Sequence, residues 1–258
     1  MELISSAQNP KVKRLLELQQ KSSERRKHGL FVVEGRREVE RCIQKGYQID
    51  SLFWCPEIFG AEEPAANGAR VFEVSATIYN KVAYRGGTEG IIAEVKTREH
   101  TLQDLRLPDS PLIVVLERVE KPGNLGAILR SADAAGADAV IVCDPLTDLY
   151  NPNLIRSSTG AFFSVPCVAC TSAECIAFLK QHTIRILTAQ LQDSSLYYDI
   201  DMRQPTAIVM GTEATGLTDQ WRQAADAHIR IPMLGITDSL NVSVSAAILL
   251  YEAVRQRQ

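Results

Sequence analysis

The stretch PLIVVLERVEKPGNLGAILRSADAAGADAVIVC, residues 111–143, decides the fold class. It opens with an unbroken apolar run over 111–116 and closes with a second one over 139–143. Apolar runs of this length without polar alternation are typical of strands that are buried on both faces. The segment between them, about 123–136, has the apolar spacing of a helix. The stretch therefore predicts two buried strands joined by a helix.

The same alternation continues towards the C-terminus. We expect further apolar strands over 185–190, 206–211 and 227–233, and a long apolar helix over about 240–255. Near-continuous hydrophobic strands separated by helices indicate a parallel sheet that is covered on both faces. The fold class is α/β.

The first hundred residues predict a smaller α/β unit of their own. Asn9-Pro10 begins a helix, the polar stretch 22–29 breaks its pattern, and a loop covers 56–68. We also expect strands over 30–35, 49–54, 71–75 and 90–96, and helices over 36–45 and 76–82. A polar, proline-containing stretch follows, so we divide the chain into domains over 1–97 and 111–258 with a linker over 98–110.

The composition is ordinary for a soluble globular protein, with 45% apolar and 23% charged residues among 258. No apolar run is long enough to cross a bilayer, and the first residues do not resemble a secretory signal. We therefore expect a cytoplasmic protein with no membrane partner.

Charge is distributed unevenly along the chain. Residues 1–45 hold eleven Lys/Arg against six Glu, a local net charge of +5, whereas the whole chain carries −3. A basic N-terminal arm on an acidic body suits contacts with the phosphates of a nucleic acid. A solvated helix face would have the same composition, so charge alone leaves both interpretations open.

The six cysteines include one pair with metal-ligand spacing, Cys167-x-x-Cys170. A tetrahedral site needs a second such pair or paired histidines, and only Cys175 and His182 follow closely. We predict no metal, and expect small buried residues at a strand edge and on a helix.

The glycine-rich loops that usually hold nucleotides are missing. No G-x-G-x-x-G follows the first strand of either half, which disfavours an NAD-type oxidoreductase, and there is no G-x-x-x-x-G-K-[ST]. Instead, polar segments follow three apolar strands of the C-terminal half, over 117–133, 210–217 and 231–245. Each has a plain structural alternative: a helix start, a glycine turn, and capping of the last helix by Asp238 or Ser239.

Taken together, N-x-G-A-x-x-R-S-A-D, G-x-E-x-x-G-L and I-P-M-x-G-x(3)-SLNVSVS resemble the SpoU/TrmH family of RNA ribose 2′-O-methyltransferases. The stretch 153–161 (NLIRSSTGA) is also similar to that family. The resemblance implies a SPOUT fold, in which a parallel sheet carries a deep trefoil knot. It also implies a homodimer, S-adenosylmethionine as the methyl donor, and an N-terminal substrate-binding domain similar to RNA-binding ribosomal proteins.

The motif matches also imply which residues form the site. The positions associated with catalysis are Arg130, Asn124, Glu213, Ser239 and Asn241. The positions associated with the methyl donor are Thr188, Ala189, Gly211, Gly216, Ile231, Met233 and Leu240. Of these, Arg130 is the residue on which we expect methyl transfer to depend most. A guanidinium has a pKa above about 12, so acting as a base requires strong desolvation, and stabilising a developing alkoxide is the milder role.

The resemblance implies RNA as the partner and gives no reason to expect DNA. Ribosomal RNA of the 23S type is favoured over tRNA, because of the separate N-terminal domain. A non-catalytic RNA-binding module is the rival hypothesis, since it would need the basic arm but neither Arg130 nor Asn241.

Overall fold

A computed structural model describes residues 2–66, 68–84, 89–212 and 215–258. The strands within these residues are β1 (Glu2–Ile4), β2 (Leu30–Glu34), β3 (Ile49–Trp54), β4 (Arg70–Val74), β5 (Ile91–Lys96), β6 (Leu112–Glu117), β7 (Ala139–Cys143), β8 (Cys167–Cys170), β9 (Arg185–Ala189), β10 (Ser195–Leu196), β11 (Thr206–Met210) and β12 (Ala227–Arg230). The α-helices are α1 (Pro10–Gln20), α2 (Ser22–His28), α3 (Arg36–Gln44), α4 (Pro56–Phe59), α5 (Ala76–Val82), α6 (Pro122–Ala134), α7 (Pro152–Ser157), α8 (Ser172–Gln181), α9 (Asp219–Ala224) and α10 (Val242–Arg257).

The chain folds into two compact units. The first contains residues 1–98 and 150–164, and the second contains residues 99–149 and 165–258. The sequence-based division at 98–110 assigned 150–164 to the C-terminal domain, so the domain boundaries stay a prediction. Within the expected linker, Leu102 is only 6% exposed and belongs to the hydrophobic core of the second unit. Part of that segment is therefore anchored.

The first unit contains a mixed five-stranded sheet in the order β1-β4-β3-β5-β2. Strand β4 pairs in parallel with β1 and β3, whereas β5 pairs antiparallel with β2 and β3. Helix α1 begins where the sequence predicts, because the Asn9 side chain accepts a hydrogen bond from the Lys11 N–H and Pro10 occupies the first turn. Its buried face consists of Val12, Leu15 and Leu18. The smaller α/β unit is confirmed.

Helix α1 ends at Gln20, before the polar stretch 22–29, as the sequence predicts, but that stretch forms α2, which the sequence did not predict. Strand β1 was not expected either, and the expected loop over 56–68 contains α4. Helix α2 is held by Arg25, which is 3% exposed and donates to the carbonyl of Leu18 at 2.6 Å. A buried guanidinium that satisfies backbone carbonyls leaves no signal in apolar periodicity, which is why the pattern missed this helix.

The segment 150–164 packs on the first unit through aromatic rings. Tyr150 and Phe31 have ring centroids 4.5 Å apart, and the Arg98 N–H donates to the Tyr150 hydroxyl at 2.7 Å. Arg41 donates to the carbonyl of Thr159 at 3.0 Å. These contacts hold α7 against the first unit.

The second unit contains a seven-stranded, all-parallel sheet in the order β10-β12-β9-β11-β6-β7-β8. All six residues of β6 are buried, as the unbroken apolar run predicts. The parallel α/β sheet is thus confirmed. From β6 the chain proceeds through β7 to β8 on one side, and from β9 it builds the other side. The strand order therefore reverses at the neighbouring strands β6 and β11, and open α/β sheets bind ligands at such a point.

Two boundaries near the C-terminus differ from the sequence prediction. Strand β12 ends at Arg230 instead of continuing to 233, and α10 begins at Val242 instead of about 240. Pro232 lacks the N–H that a continuing strand would donate to its neighbour. In the part of the chain that the structure describes, no helix is both long enough and apolar enough to span a membrane.

Candidate active site

The candidate site lies where neighbouring parallel strands of the second unit end. Thr188 pairs in register with Val209, and Ala189 pairs with Ile229. Because adjacent strands lie about 4.8 Å apart, β9, β11 and β12 release their following loops at one edge of the sheet. This edge therefore brings together the ends of three strands that carry predicted donor-binding residues.

Two glycines shape the loop that follows β11. The N–H of Thr212 donates to the carbonyl of Gly216 at 3.2 Å, and the Gly216 N–H donates back at 3.1 Å. A Cβ added at Gly211 would lie 2.2 Å from the Gly216 carbonyl oxygen, so a side chain there has no room. Gly216 has open space but a φ of +66°, in the left-handed region that favours glycine. The predicted catalytic residue Glu213 lies in this loop, outside the described residues.

A buried carboxylate anchors the far end of the same loop. Glu117, at the end of β6, is 1% exposed and accepts from the Thr218 N–H at 2.8 Å and from the Thr218 hydroxyl at 2.6 Å. The Ser172 hydroxyl donates to it at 3.3 Å and accepts from the Trp221 indole N–H. Sequence reasoning missed this anchor, although a Glu that closes a fully apolar strand is a readable signal of a buried polar role.

A pocket opens at the reversal point of the sheet, between the start of α6 and the loop after β11. The described residues that line it are Val119, Glu120, Lys121, Asn124, Gly211, Thr212 and Val242. Two of the predicted site residues, Asn124 and Gly211, are among them. The Asn241 amide donates to the Asn124 side-chain oxygen at 3.2 Å, which connects the third motif to the first across 117 positions of sequence. The structure thus joins Asn124, Asn241 and Gly211 in one place.

Asn241 also caps the last helix. Its side-chain oxygen accepts from the Ser243 N–H at 3.0 Å, so the cap is Asn241 and neither Asp238 nor Ser239, the two residues that the sequence suggested. One amide therefore does two jobs, because its oxygen ends the helix and its nitrogen holds Asn124. This arrangement fixes the pocket side of α10 relative to α6.

Replacing Asn241 with alanine is expected to lower the free energy of unfolding by about 1 kcal/mol, the usual effect of losing an N-cap. Asn241→Asp keeps an oxygen for the cap but removes the amide donor to Asn124. We expect it to retain most of the stability and to lose the interhelical contact. Urea unfolding of Asn241→Ala, Asn241→Asp and Asn124→Ala measures how much the helix cap and the interhelical contact each contribute to stability. Equal stability of Asn241→Ala and the unchanged chain would contradict the capping role.

The predicted catalytic residues Arg130 and Ser239 are not among the described residues that line the pocket. Arg130 lies nearly two helical turns beyond Asn124 on α6, and its side chain is exposed. Ser239 is exposed and donates to Asp238 at 3.3 Å. The chain around Ser239 presents apolar side chains to solvent, with Leu234 97% and Ile236 105% exposed.

The predicted donor-binding residues other than Gly211 surround the strand ends. Thr188 is fully buried, and its hydroxyl shares a hydrogen bond of 2.6 Å with Nδ1 of His228, a partner that sequence reasoning did not single out. Ala189 ends β9, whereas Ile231 and Met233 are partly buried after β12. Leu240 is 37% exposed, directly before the Asn241 cap.

Two features at this edge fit a polar, adenosine-containing group. The side-chain oxygen Oε1 of Gln190, next to Ala189, is buried without a hydrogen-bond partner in the described residues. A buried acceptor of this kind is rare and suits an amino or hydroxyl donor on a ligand. Gly211 lines the pocket and has no side chain, so a ligand can approach its backbone closely. The residues present therefore fit S-adenosylmethionine.

The sequence spacing pairs Cys170 with Cys167, but in the structure Cys170 lies beside Cys143 and Cys175. The sulfur atoms of Cys143, Cys170 and Cys175 all lie within 4.8 Å of one another. The thiols of Cys143 and Cys175 hydrogen-bond to Cys170 and lower its pKa, whereas burial raises the pKa of Cys167 to about 12. Both Cys143 and Cys175 are completely buried and belong to the hydrophobic core, so these cysteines contribute to packing.

Comparison with known proteins assigns each half of the chain to a described family. Residues 111–251 match the SpoU rRNA Methylase family, and residues 9–93 match the MRM3-like substrate binding domain. One relative is the 23S rRNA (guanosine(2553)-2′-O)-methyltransferase RlmP of Bacillus subtilis strain 168. It is 30% identical over 97% of this chain and 98% of its own length.

Solved structures agree over the full length. An RNA 2′-O ribose methyltransferase is 41% identical, with a TM-score of 0.85 and 99% of both chains covered. An AdoMet-bound rRNA methyltransferase from Sinorhizobium meliloti is 29% identical, with a TM-score of 0.91, covering 100% of this chain and 98% of that one. The similarity therefore includes both units.

Proposed function

Because the chain belongs to the SpoU rRNA methylase family, we propose that it methylates a ribose 2′-hydroxyl of structured RNA, using S-adenosylmethionine. The acceptor in this proposal is ribosomal RNA of the 23S type. The observation that supports the proposal most is the pocket at the reversal point of the parallel sheet. Gly211 and Asn124 line this pocket, and Asn124 is hydrogen-bonded to Asn241. A relative named as a 23S rRNA methyltransferase aligns with 97% of the chain, which favours ribosomal RNA over tRNA.

The donor side of the reaction belongs to the ends of β9, β11 and β12. When bound, S-adenosylmethionine supplies an electrophilic methyl group on a sulfonium that leaves readily. Gly211, Ile231 and Leu240 would hold it mainly through backbone groups, with Thr188, Ala189, Gly216 and Met233 lining the pocket. The hydrogen bond between His228 and Thr188 fixes the orientation of the Thr188 hydroxyl.

The acceptor side belongs to the starts of α6 and α10. Asn124 and Asn241 lie in one hydrogen-bonded pair and can orient a ribose by donating and accepting. Ser239 and Glu213 complete the predicted set, with Ser239 orienting the ribose and Glu213 holding Arg130 or the acceptor loop.

Arg130 acts on the acceptor as an electrostatic stabiliser in this proposal. Its exposure on α6 supports that role, because an arginine must first lose its own proton before it can act as a base, and that needs strong desolvation. A charged guanidinium that holds a phosphate and lowers the energy of the developing alkoxide needs none. The alkoxide develops as the ribose oxygen attacks the methyl group and the hydroxyl proton passes to solvent water.

The first unit serves as the RNA-binding domain, over residues 1–97 in the proposed division. The net charge of +5 over residues 1–45 supports this role. Some of these basic side chains, however, make contacts within the protein. Arg14 pairs with the buried Glu94, and Arg25 and Arg41 bind backbone carbonyls. The exposed basic residues that remain for phosphates are Lys13, Lys21, Arg26, Lys27, Arg36, Arg37 and Lys45.

We also propose that the chain is a cytoplasmic homodimer with a knotted C-terminal segment, as the family resemblance implies. Exposed apolar side chains on the loop before α10 and on α10 support a second copy as their cover. They are Leu234, Ile236, Leu240, Val244 and Tyr251. Sedimentation of the purified chain measures the dimer, and a monomer at micromolar concentration would contradict it.

A methylation assay tests the proposed function directly. The full chain, radiolabelled S-adenosylmethionine and either 23S rRNA or tRNA transcripts should give label in 23S rRNA, at a ribose that primer extension locates. S-adenosylmethionine alone should raise the melting temperature of the chain, because it binds the folded state. RNA binding without that thermal shift and without label would support the non-catalytic module instead, and label in tRNA alone would overturn the ribosomal target.

A further inference from the structure

A second pocket lies in the first unit, outside the site described above. The described residues that line it are Gln19, Val32, Glu34, Tyr84, Pro152, Ile155 and Arg156. They come from α1, β2, the end of the segment after α5, and α7. None of them lines the pocket of the second unit, so the two pockets are separate and a ligand of this one has to be inferred from its own lining.

The apolar walls of this pocket suit a planar ring. Val32 is 3% exposed and Ile155 is 2% exposed, which provides a closed aliphatic wall. Tyr84 is 49% exposed and supplies an aromatic ring at the surface. Unstacked RNA bases are bound in this way, by stacking on aromatic side chains and hydrogen-bonding along their edges.

One polar wall offers a donor that the protein leaves unused. Arg156 donates through Nη2 to the side-chain oxygen of Asn153, but its Nε is buried with no partner among the described residues. A buried N–H without an acceptor is destabilising, so an acceptor on a ligand would be favourable. Arg156 thus favours a ligand with acceptor atoms.

The opposite requirement comes from Glu34. Its Oε2 accepts from the Tyr84 N–H at 2.7 Å, which fixes the carboxylate beside the tyrosine. An ionised carboxylate has about four acceptor positions, so this bond leaves it able to accept from a ligand. The negative charge of Glu34 disfavours a phosphate or another anion in the pocket. A neutral ligand with both donors and acceptors is therefore preferred.

We infer that this pocket binds an unstacked guanine base of the RNA substrate. Guanine carries two adjacent donors, N1–H and the N2 amino group, for Glu34, and two acceptors, O6 and N7, for Arg156. Adenine presents an acceptor at N1, and uracil presents a single donor between two acceptors. Cytosine has one amino donor beside acceptors and is the closest competitor. This inference rests on the proposed function, and the guanine is a recognition nucleotide other than the methylated one.

Nucleoside binding tests the pocket without reference to catalysis. Guanosine, cytidine, adenosine and uridine are compared at equal concentration by saturation-transfer NMR on the full chain, with saturating S-adenosylmethionine to block the donor pocket. We expect the strongest signal from guanosine and at least a fivefold loss of it in Glu34→Gln and in Arg156→Lys. The glutamine still accepts from Tyr84 N–H, and the lysine keeps the charge but loses the planar fork.

Two exposed residues of the same unit provide matched controls. Glu40→Gln and Arg70→Lys make the same chemical changes outside the pocket and should leave the guanosine signal unchanged. Equal signals from the four nucleosides, or a signal that survives both pocket substitutions, would overturn the inference. If a pocket substitution also lowers the melting temperature, the milder Glu34→Asp is measured in its place. Glu34→Asp should lose guanosine binding at an unchanged melting temperature. Guanosine binding that Glu34→Asp retains would also overturn the inference.

Methylation kinetics separate this inference from the function on which it rests. With 23S rRNA as substrate, Glu34→Gln should raise the KM for RNA roughly tenfold and leave kcat unchanged, because the lost base contact binds the RNA and takes no part in methyl transfer. An unchanged KM in Glu34→Gln would contradict the guanine pocket but not the proposed function. An unsubstituted chain that methylates no RNA would instead contradict the proposed function, while the nucleoside preference would still be measured independently.

Discussion

Arg130→Ala is expected to lower the rate of methyl transfer by about 100-fold or more while leaving the affinity for S-adenosylmethionine nearly unchanged. Removing one group that stabilises a developing oxyanion typically has an effect of this size. Because Arg130 is exposed on α6 and does not line the pocket beside Gly211, the substitution removes no wall of the donor site. Exposed positions of this kind usually change stability by no more than about 0.5 kcal/mol.

Single-turnover methylation of 23S rRNA gives the chemical rate, and calorimetric titration gives the donor affinity. Arg222→Ala, at an exposed position on α9, is the matched control and should change neither quantity. Arg130→Lys adds a second comparison, since it keeps the charge and loses the fork that binds phosphate oxygens in pairs. Equal losses of donor affinity and rate in Arg130→Ala would contradict the assigned role.

The sequence contains enough information to predict the sheet, because burial on both faces requires unbroken apolar runs. The run over 111–116 predicts β6, and the spacing of such runs predicts an all-parallel arrangement. Local capping chemistry is also readable, as Asn9-Pro10 at the start of α1 demonstrates. These features depend on residues that are close together in the chain.

Contacts between distant residues account for what could not be predicted. The bond between Asn241 and Asn124 depends on how α10 packs against α6, and sequence spacing carries no information about that packing. Likewise, Glu117 holds Thr218 across 101 positions, and Tyr150 reaches Phe31 to attach α7 to the first unit. The three motifs indicate which residues matter, and the fold determines which of them meet.

That distinction bears on the pocket in the second unit. Asn124 and Gly211 meet there, whereas Arg130 stays exposed on the same helix as Asn124. A motif match alone treats Asn124 and Arg130 as equivalent members of one site. Their different surroundings predict different defects, a change in pocket geometry for Asn124→Ala and a loss of charge stabilisation for Arg130→Ala.

The largest effect on donor binding is expected from Gly211→Ala. The added Cβ would lie 2.2 Å from the carbonyl oxygen and 2.3 Å from the carbonyl carbon of Gly216, distances that no side-chain movement can relieve because both atoms are backbone. The two hydrogen bonds between Thr212 and Gly216 would have to break for the loop to make room. We expect the affinity for S-adenosylmethionine to fall by at least about 100-fold, or roughly 2.7 kcal/mol.

Gly216→Ala provides a graded comparison, because the same methyl group there meets nothing within 4 Å and only the left-handed backbone, with φ at +66°, opposes it. That strain is about 1–2 kcal/mol, so its affinity loss should be clearly smaller than that of Gly211→Ala. Calorimetric titration of both variants, with melting curves to verify folding, gives the order. If Gly216→Ala binds the donor more weakly than Gly211→Ala, the loop is limited by backbone conformation at Gly216 and not by close approach at Gly211.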